Sequence, residues 1–125
     1  MSRLIVAVVL SVPLLVGCGS AAKDASAARE YVHSFYSNPD INFTITRVEG
    51  PEYAKVSKIP RDHIASGYPD RAAACAVRVW FDWGYERRTT HDSWLVWVGS
   101  DHKAVGWSNT GGDNWRKYVR SLAKK

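Results

Sequence analysis

AVRVWFDWGYERRTTHDSWLVWVGSDHKAVGWSN, residues 76–109, decides the architecture of this chain. Val77, Val79, Phe81, Trp83 and Tyr85 alternate with Arg78, Trp80, Asp82, Gly84 and Glu86, which is the period of a strand with two unlike faces. A tight turn at Arg87-Arg88 predicts a second strand through about Gly99, and a turn at Asp101-His102 a third through about Asn109. In that pairing Val77, Val98 and Val105 form one row, Val79, Val96 and Trp107 the next, and Phe81 faces Trp94. The opposite face carries Arg78, Trp97 and Gly106, then Trp80, Leu95 and Ser108, then Asp82 and Ser93, then Gly84 and His91. A one-residue slip would scatter these rows, so their agreement supports an antiparallel meander.

Both faces of that ribbon hold large apolar side chains, so both need covers. Upstream, Ala28, Val32, Phe35 and Tyr36 recur at helical spacing from Ala25 and stop at Ser37-Asn38-Pro39, predicting an amphipathic helix for the first face. Ile41, Phe43 and Ile45 alternate with polar residues as a further strand ended by Gly50-Pro51, Tyr53 to Ile59 is a weaker strand candidate, and Pro60 to Arg71 reads as a loop with a turn of helix. Downstream of Gly111-Gly112, Trp115, Tyr118, Val119 and Leu122 share one side of a short basic helix. Either that helix closes the second face over Trp80, Leu95 and Trp97, or it meets a partner and the patch is a binding site. The expected fold class is α+β: an N-terminal helix on a curved antiparallel meander sheet, with a short C-terminal basic helix.

The chain has 125 residues with 46% apolar and 23% charged, the profile of one small globular domain. The formal net charge is +5, but Arg116, Lys117, Arg120, Lys124 and Lys125 crowd the last ten residues. With these and Arg3 set aside, acids and bases nearly balance. No helix-turn-helix, zinc or RNA-binding pattern accompanies the charge, so nucleic acid is not an expected partner, and an anionic lipid or envelope surface suits the tail better.

Residues 1–17 read as a removable signal peptide: Arg3 gives a positive start, Leu4 to Val16 is almost wholly apolar, and small Gly17 precedes Cys18. The apolar run is too short to span a bilayer stably, for which about 20 residues are needed. Leu15-Val16-Gly17-Cys18 resembles the lipobox of bacterial lipoproteins. That resemblance implies cleavage before Cys18, lipidation of its thiol with a diacylglyceryl group, and acylation of its new amine, typically with palmitate-like chains. It also implies attachment to the cell envelope, with the outer membrane favoured in a two-membrane cell because no aspartate follows the cysteine. Residues 18–25 are then a lipidated tether and 26–125 a single α+β domain. With Cys18 consumed, Cys75 is the one remaining thiol and no intramolecular disulfide forms. A helix followed by a curved meander resembles the cystatin-like or nuclear-transport-factor-like fold found in small lipoproteins, whose members range from enzymes to binding modules.

No cofactor or metal motif is present: His33, His63, His91 and His102 are scattered, and the Gly-rich segment Asn109 to Asn114 lacks the Lys-Ser/Thr of a phosphate loop. Arg78 beside Trp97, with Trp80 nearby, offers a cation-aromatic shelf for binding, or ordinary packing of arginine over tryptophan. Asp82, His91 and Ser93 have the composition of a hydrolytic triad without a nucleophile elbow. The expected function is therefore a lipid-anchored binding or assembly module for an envelope protein or peptidoglycan. A small hydrolase or isomerase on those three residues, or an immunity-type inhibitor, stands as the alternative. The expected contact surface is Arg78, Trp80 and Trp97, or the basic C-terminal face if that patch is closed from within.

Overall fold

The computed structural model describes residues 20–53, 59–65, 68 and 73–123; the expected signal segment and Cys18 lie outside these. Residues 20–35 are helical (α1) and are followed by four strands, β1 (Ile41–Tyr53), β2 (Ala73–Tyr85), β3 (Thr90–Gly99) and β4 (Ala104–Ser108), then α2 (Trp115–Ala123). The strands form one antiparallel sheet in the order β1-β2-β3-β4. The α+β expectation holds, with a fourth strand at the β1 edge and covers on both faces. Among the described residues no helix is long and apolar enough to cross a membrane.

α1 lays Ala28 and Val32 against Val77, Val79, Phe81, Trp94, Val96 and Val98 on the first face. Each of the fully buried valines contributes about 1.5–3 kcal/mol. The helix begins earlier than Ala25: it is already formed at Ser20, and Asp24, one turn before Ala28 on the same stripe, is 3% exposed. Residues 20–25, expected as a polar tether, are thus helical. The buried acid disguised the continuation of the stripe, and a hydrogen bond to His102 explains how it is tolerated there.

Gly50-Pro51 does not end β1. The strand runs on to Tyr53 through a register shift between Glu49 and Glu52, and residues 54–58 of the Tyr53–Ile59 strand candidate lie outside the described residues. Gly50, at φ +111°, brings the backbone so close to the second layer that a Cβ would lie 3.0 Å from the Ala76 carbonyl and 3.1 Å from the Trp115 ring.

β2 and β3 keep their predicted faces but not their predicted partners. Val77 pairs with Val96, Val79 with Trp94 and Phe81 with Asp92, two residues away from the expected rows. The turn sits at Glu86-Arg87, not Arg87-Arg88: Glu86 takes φ 52° and Arg88 N–H donates to the Tyr85 carbonyl at 2.9 Å. The Arg88 carbonyl then lies directly over Gly84, where any Cβ would collide with it. A shift of two preserves which side chains share a face, so the core survives the change of register.

Between β3 and β4 the expected pairs Val96–Trp107, Trp97–Gly106 and Leu95–Ser108 are present, but Val98 faces Ala104. His102, at φ 65°, ends a three-residue loop closed by Gly99 N–H to the Lys103 carbonyl, and the irregularity that follows turns Val105 to the second face.

There Val105 joins Ala73, Ala76, Leu95 and Trp97, and α2 closes the layer with Trp115 and Val119. Of the two alternatives for the second face, internal closure is the one observed. The segment 59–65, containing a 3-10 turn at Arg61–His63, completes the cover with Ile59 and Ile64.

Candidate functional site

Arg78, Trp80 and Trp97 share the second face as expected, but they do not form an open shelf. Trp97 is 0% and Arg78 2% exposed beneath the second layer. The Arg78 guanidinium donates to the Thr110 carbonyl at 2.8 Å and to Ser93 Oγ at 2.7 Å, fastening the loop before α2 to the sheet. Its pKa is lowered by burial and held up by the charges of Asp92 and Asp113, so it remains a cation. The cation over Trp80 is Arg47, from β1, at 3.8 Å. Arg78 and Trp97 are therefore structural, and Trp80 alone keeps an accessible edge.

Asp82 and His91 are direct cross-strand partners joined by a 2.5 Å hydrogen bond, with the His91 side chain 80% exposed. Ser93 stands opposite Trp80 and its hydroxyl accepts from Arg78. The imidazole thus sits in open solvent and the serine is committed to a buried guanidinium, an arrangement without an enclosed reaction site.

Cys75 is buried and donates to Asp24 Oδ2 at 3.6 Å, while Asp24 Oδ1 meets His102 Nδ1 at 2.8 Å. Burial first, then the adjacent Asp24 carboxylate, pushes the thiol up to about 12. Asp24 stands between thiol and imidazole and holds the thiol in its protonated form, so this cluster is a clip from α1 to β2 and the β3–β4 loop. Among the described residues no three His, Cys, Asp or Glu side chains are grouped to hold a metal ion.

What the fold does build is a cleft of about 240 Å³ between α1, the segment 59–65 and the middle of β4. Tyr31 and Phe35 from α1 form one wall, Asp62 and His63 another, and Gly106 and Trp107 the floor. Gly106 makes this possible: the segment passes so close above it that a Cβ would meet the His63 carbonyl and lie 2.8 Å from the Ile64 Cα. Ala65 N–H donates to the Val105 carbonyl at 2.7 Å and pins the segment to the sheet edge.

The α1 wall and the floor are aromatic, and their rings brace one another. Trp107 stacks on Trp94 at 3.9 Å, and Phe35 sets its edge against Trp94 at 5.0 Å and against Tyr31 at 5.1 Å. Phe35 nevertheless remains 52% exposed. His63 stacks over Trp97, whose indole N–H donates to His63 Nδ1 at 3.3 Å. An indole can only donate, so Nδ1 is the unprotonated nitrogen and Nε2 carries the hydrogen. Burial lowers the pKa of His63 against the opposing charge of Asp62, which keeps the ring neutral near pH 7. Burial, and then Tyr68, raises the pKa of Tyr31, so its hydroxyl stays protonated. The cleft thus combines apolar ring surface with a carboxylate acceptor, a neutral imidazole donor and a phenolic hydroxyl.

Sequence reasoning did not assemble this cleft. His63 reads as a surface histidine and Phe35 as core, because the crossing of 59–65 over β4 is a long-range contact. The one local signal is Gly106, a glycine in mid-strand opposite Trp97, a position that marks close backbone approach.

No protein-family model matches this chain, no curated protein matches it, and no solved structure matches it.

Proposed function

We propose that this chain is a lipid-anchored cell-envelope lipoprotein, tethered through acylated Cys18, that works as a peptidoglycan-binding module through the cleft at Tyr31, Phe35, Asp62, His63 and Trp107. The carrying observation is the exposed Phe35 ring held edge-on to Trp94 beside Asp62 and His63. An aromatic ring held rigid but half in water offers apolar surface at little entropic cost. The carboxylate, imidazole N–H and phenol beside it suit the alternating donors and acceptors of a sugar ring.

At about 240 Å³ the cleft is smaller than sites for drug-sized ligands, which run to roughly 300–1,000 Å³, and matches one ring of a longer polymer. An extended peptide is less favoured here, because strand addition at β4 needs the outward Val105 carbonyl, already taken by Ala65. The signal-like residues 1–17 and the lipobox at Cys18 support an envelope address, on the outer membrane where there are two.

Sedimentation of the full-length lipidated protein with purified peptidoglycan tests this reading. Phe35→Ala should weaken co-sedimentation at least about fivefold, the effect of a residue contributing more than 1 kcal/mol, while the domain, destabilised by roughly 1–3 kcal/mol through the lost edge contacts to Trp94 and Tyr31, stays folded at the assay temperature. Equal sedimentation of Phe35→Ala and wild type would overturn the cleft. Cross-linking of the cleft to an envelope protein, with no retention on peptidoglycan, would overturn the choice of ligand.

A further inference from the structure

We infer that the end of the domain carrying Lys23, Lys103 and Arg120 is a membrane-docking surface for an anionic lipid bilayer; this rests on the reading of Cys18 as the lipid anchor. Several chain segments converge at this end of the sheet. β1 finishes and β2 begins there, with Tyr53 opposite Cys75 and Ala73 opposite Gly99. α1 begins there too, since Asp24 reaches both Cys75 and His102 of the β3–β4 loop. Ser20, the first described residue of α1, follows Cys18 by two positions, and two residues span at most about 7 Å. A lipid on Cys18 would therefore hold this end, and no other, at headgroup depth.

Its charge is matched to such a surface. Lys23 on the first turns of α1 and Lys103 beside the β3–β4 loop are exposed. Arg116 and Arg120 of α2 both bond Glu52, at 2.9 Å each, so two cations share one carboxylate and leave a positive excess. Two of the acids here are taken up internally, and the third, Asp101, is exposed beside Lys103 and offsets one of the lysines. Asp24 is buried against His102, Glu52 is held by the two arginines, and Asp101 Oδ1 accepts from the Lys103 backbone N–H at 3.3 Å. Exposed bases within a Debye length of anionic headgroups each add to membrane attraction, and together with acyl chains they form a two-signal attachment.

In this orientation α1 stands up from the bilayer and its far half, with Tyr31 and Phe35, is lifted away from the lipid. The docked end and the cleft are then distinct surfaces of one domain.

The test uses the full-length acylated protein on vesicles of phosphatidylcholine alone or with about one third phosphatidylglycerol, labelled with a membrane-impermeant amine reagent and read by mass spectrometry. Labelling of Lys23 and Lys103 should fall severalfold on the anionic vesicles and recover at about 0.5 M salt, where the Debye length is only a few ångströms. Lys103→Glu should weaken the protection of Lys23. Equal labelling on both vesicle types, with the protein floating on both, would overturn the docking surface while leaving the anchor standing. A Cys18 peptide without acyl mass would overturn the anchor. The orientation that places this end on the bilayer would fall with it.

Discussion

The indole N–H of Trp97 donates to Nδ1 of His63 at 3.3 Å, so the most deeply buried ring of the second face holds the wall of the cleft. That bond requires an unprotonated Nδ1. Protonating His63 would set two donors against each other and loosen the segment 59–65.

The first prediction concerns acid. Burial lowers the pKa of His63 in the folded state below its ordinary 6.5, with Asp62 opposing. The unfolded chain therefore takes up the proton first. The stability associated with neutral His63 is present above about pH 6.5 and is lost as pH falls toward and through the lowered folded value. Melting temperature should decline in wild type as pH is lowered from 7 to 5 and decline less in His63→Gln, which keeps an acceptor without titrating.

Gly106→Ala probes the same contact by steric means. Its methyl would enter the space of the His63 carbonyl, which is backbone and pinned through Ala65. Overpacking of this kind costs about 1–3 kcal/mol, a fall in melting temperature of roughly 4–20 °C for a domain of this size. Peptidoglycan sedimentation should be lost along with it, whereas an unchanged melting curve would contradict the close crossing of segment and strand.

Cys75 should be chemically silent in the native protein. With its pKa near 12, only a trace is thiolate at neutral pH, and the atom is buried besides. Alkylation by iodoacetamide should follow unfolding in denaturant and not precede it. Because the folded pKa is raised above the ordinary 9.0, the thiol's contribution is full below pH 9 and is lost as pH rises from 9 toward 12. Cys75→Ala should soften that alkaline loss.

Arg78 distinguishes a structural cation from a ligand-binding one. Truncation by Arg78→Ala removes the bonds to Thr110 and Ser93 and opens a cavity, at a cost of about 2–4 kcal/mol. Arg78→Met, which also removes the buried charge, should cost less than about half of that. Urea denaturation measures both. Peptidoglycan sedimentation by the Met variant should match wild type.

Glu52 ties α2 to the end of β1. Burial pushes its pKa up, but the hydrogen bonds from Arg120 and Arg116, with their charges, outweigh this and hold it below 4.5. The stability it contributes is present above pH 4.5 and is lost as pH falls through the lowered folded value. Glu52→Gln should cost about 1 kcal/mol at pH 7, modest because both arginines are partly solvated, and should flatten the acid limb of a stability profile.

Residue type and period alone determined which side chains share a face. Val77, Val79 and Phe81 went one way and Arg78 and Trp80 the other because successive side chains of a strand must alternate, a property of the local backbone. The stripes of both helices were legible for the same reason, and so were the need for two covers and the export-like first residues. Only the tertiary structure decided the partners. The register slid by two because Glu86 adopts a left-handed turn and the Arg88 carbonyl settles on Gly84, and Val105 changed faces at the irregularity after His102. Likewise the cleft exists only where 59–65 crosses Gly106, more than forty positions further along the chain, and Arg78 and Trp97 lost their access to solvent when α2 and that segment folded over them. Alternation is set by each residue's own geometry, whereas pairing and coverage are set by which distant segments can approach without collision, and no short window of sequence contains that information.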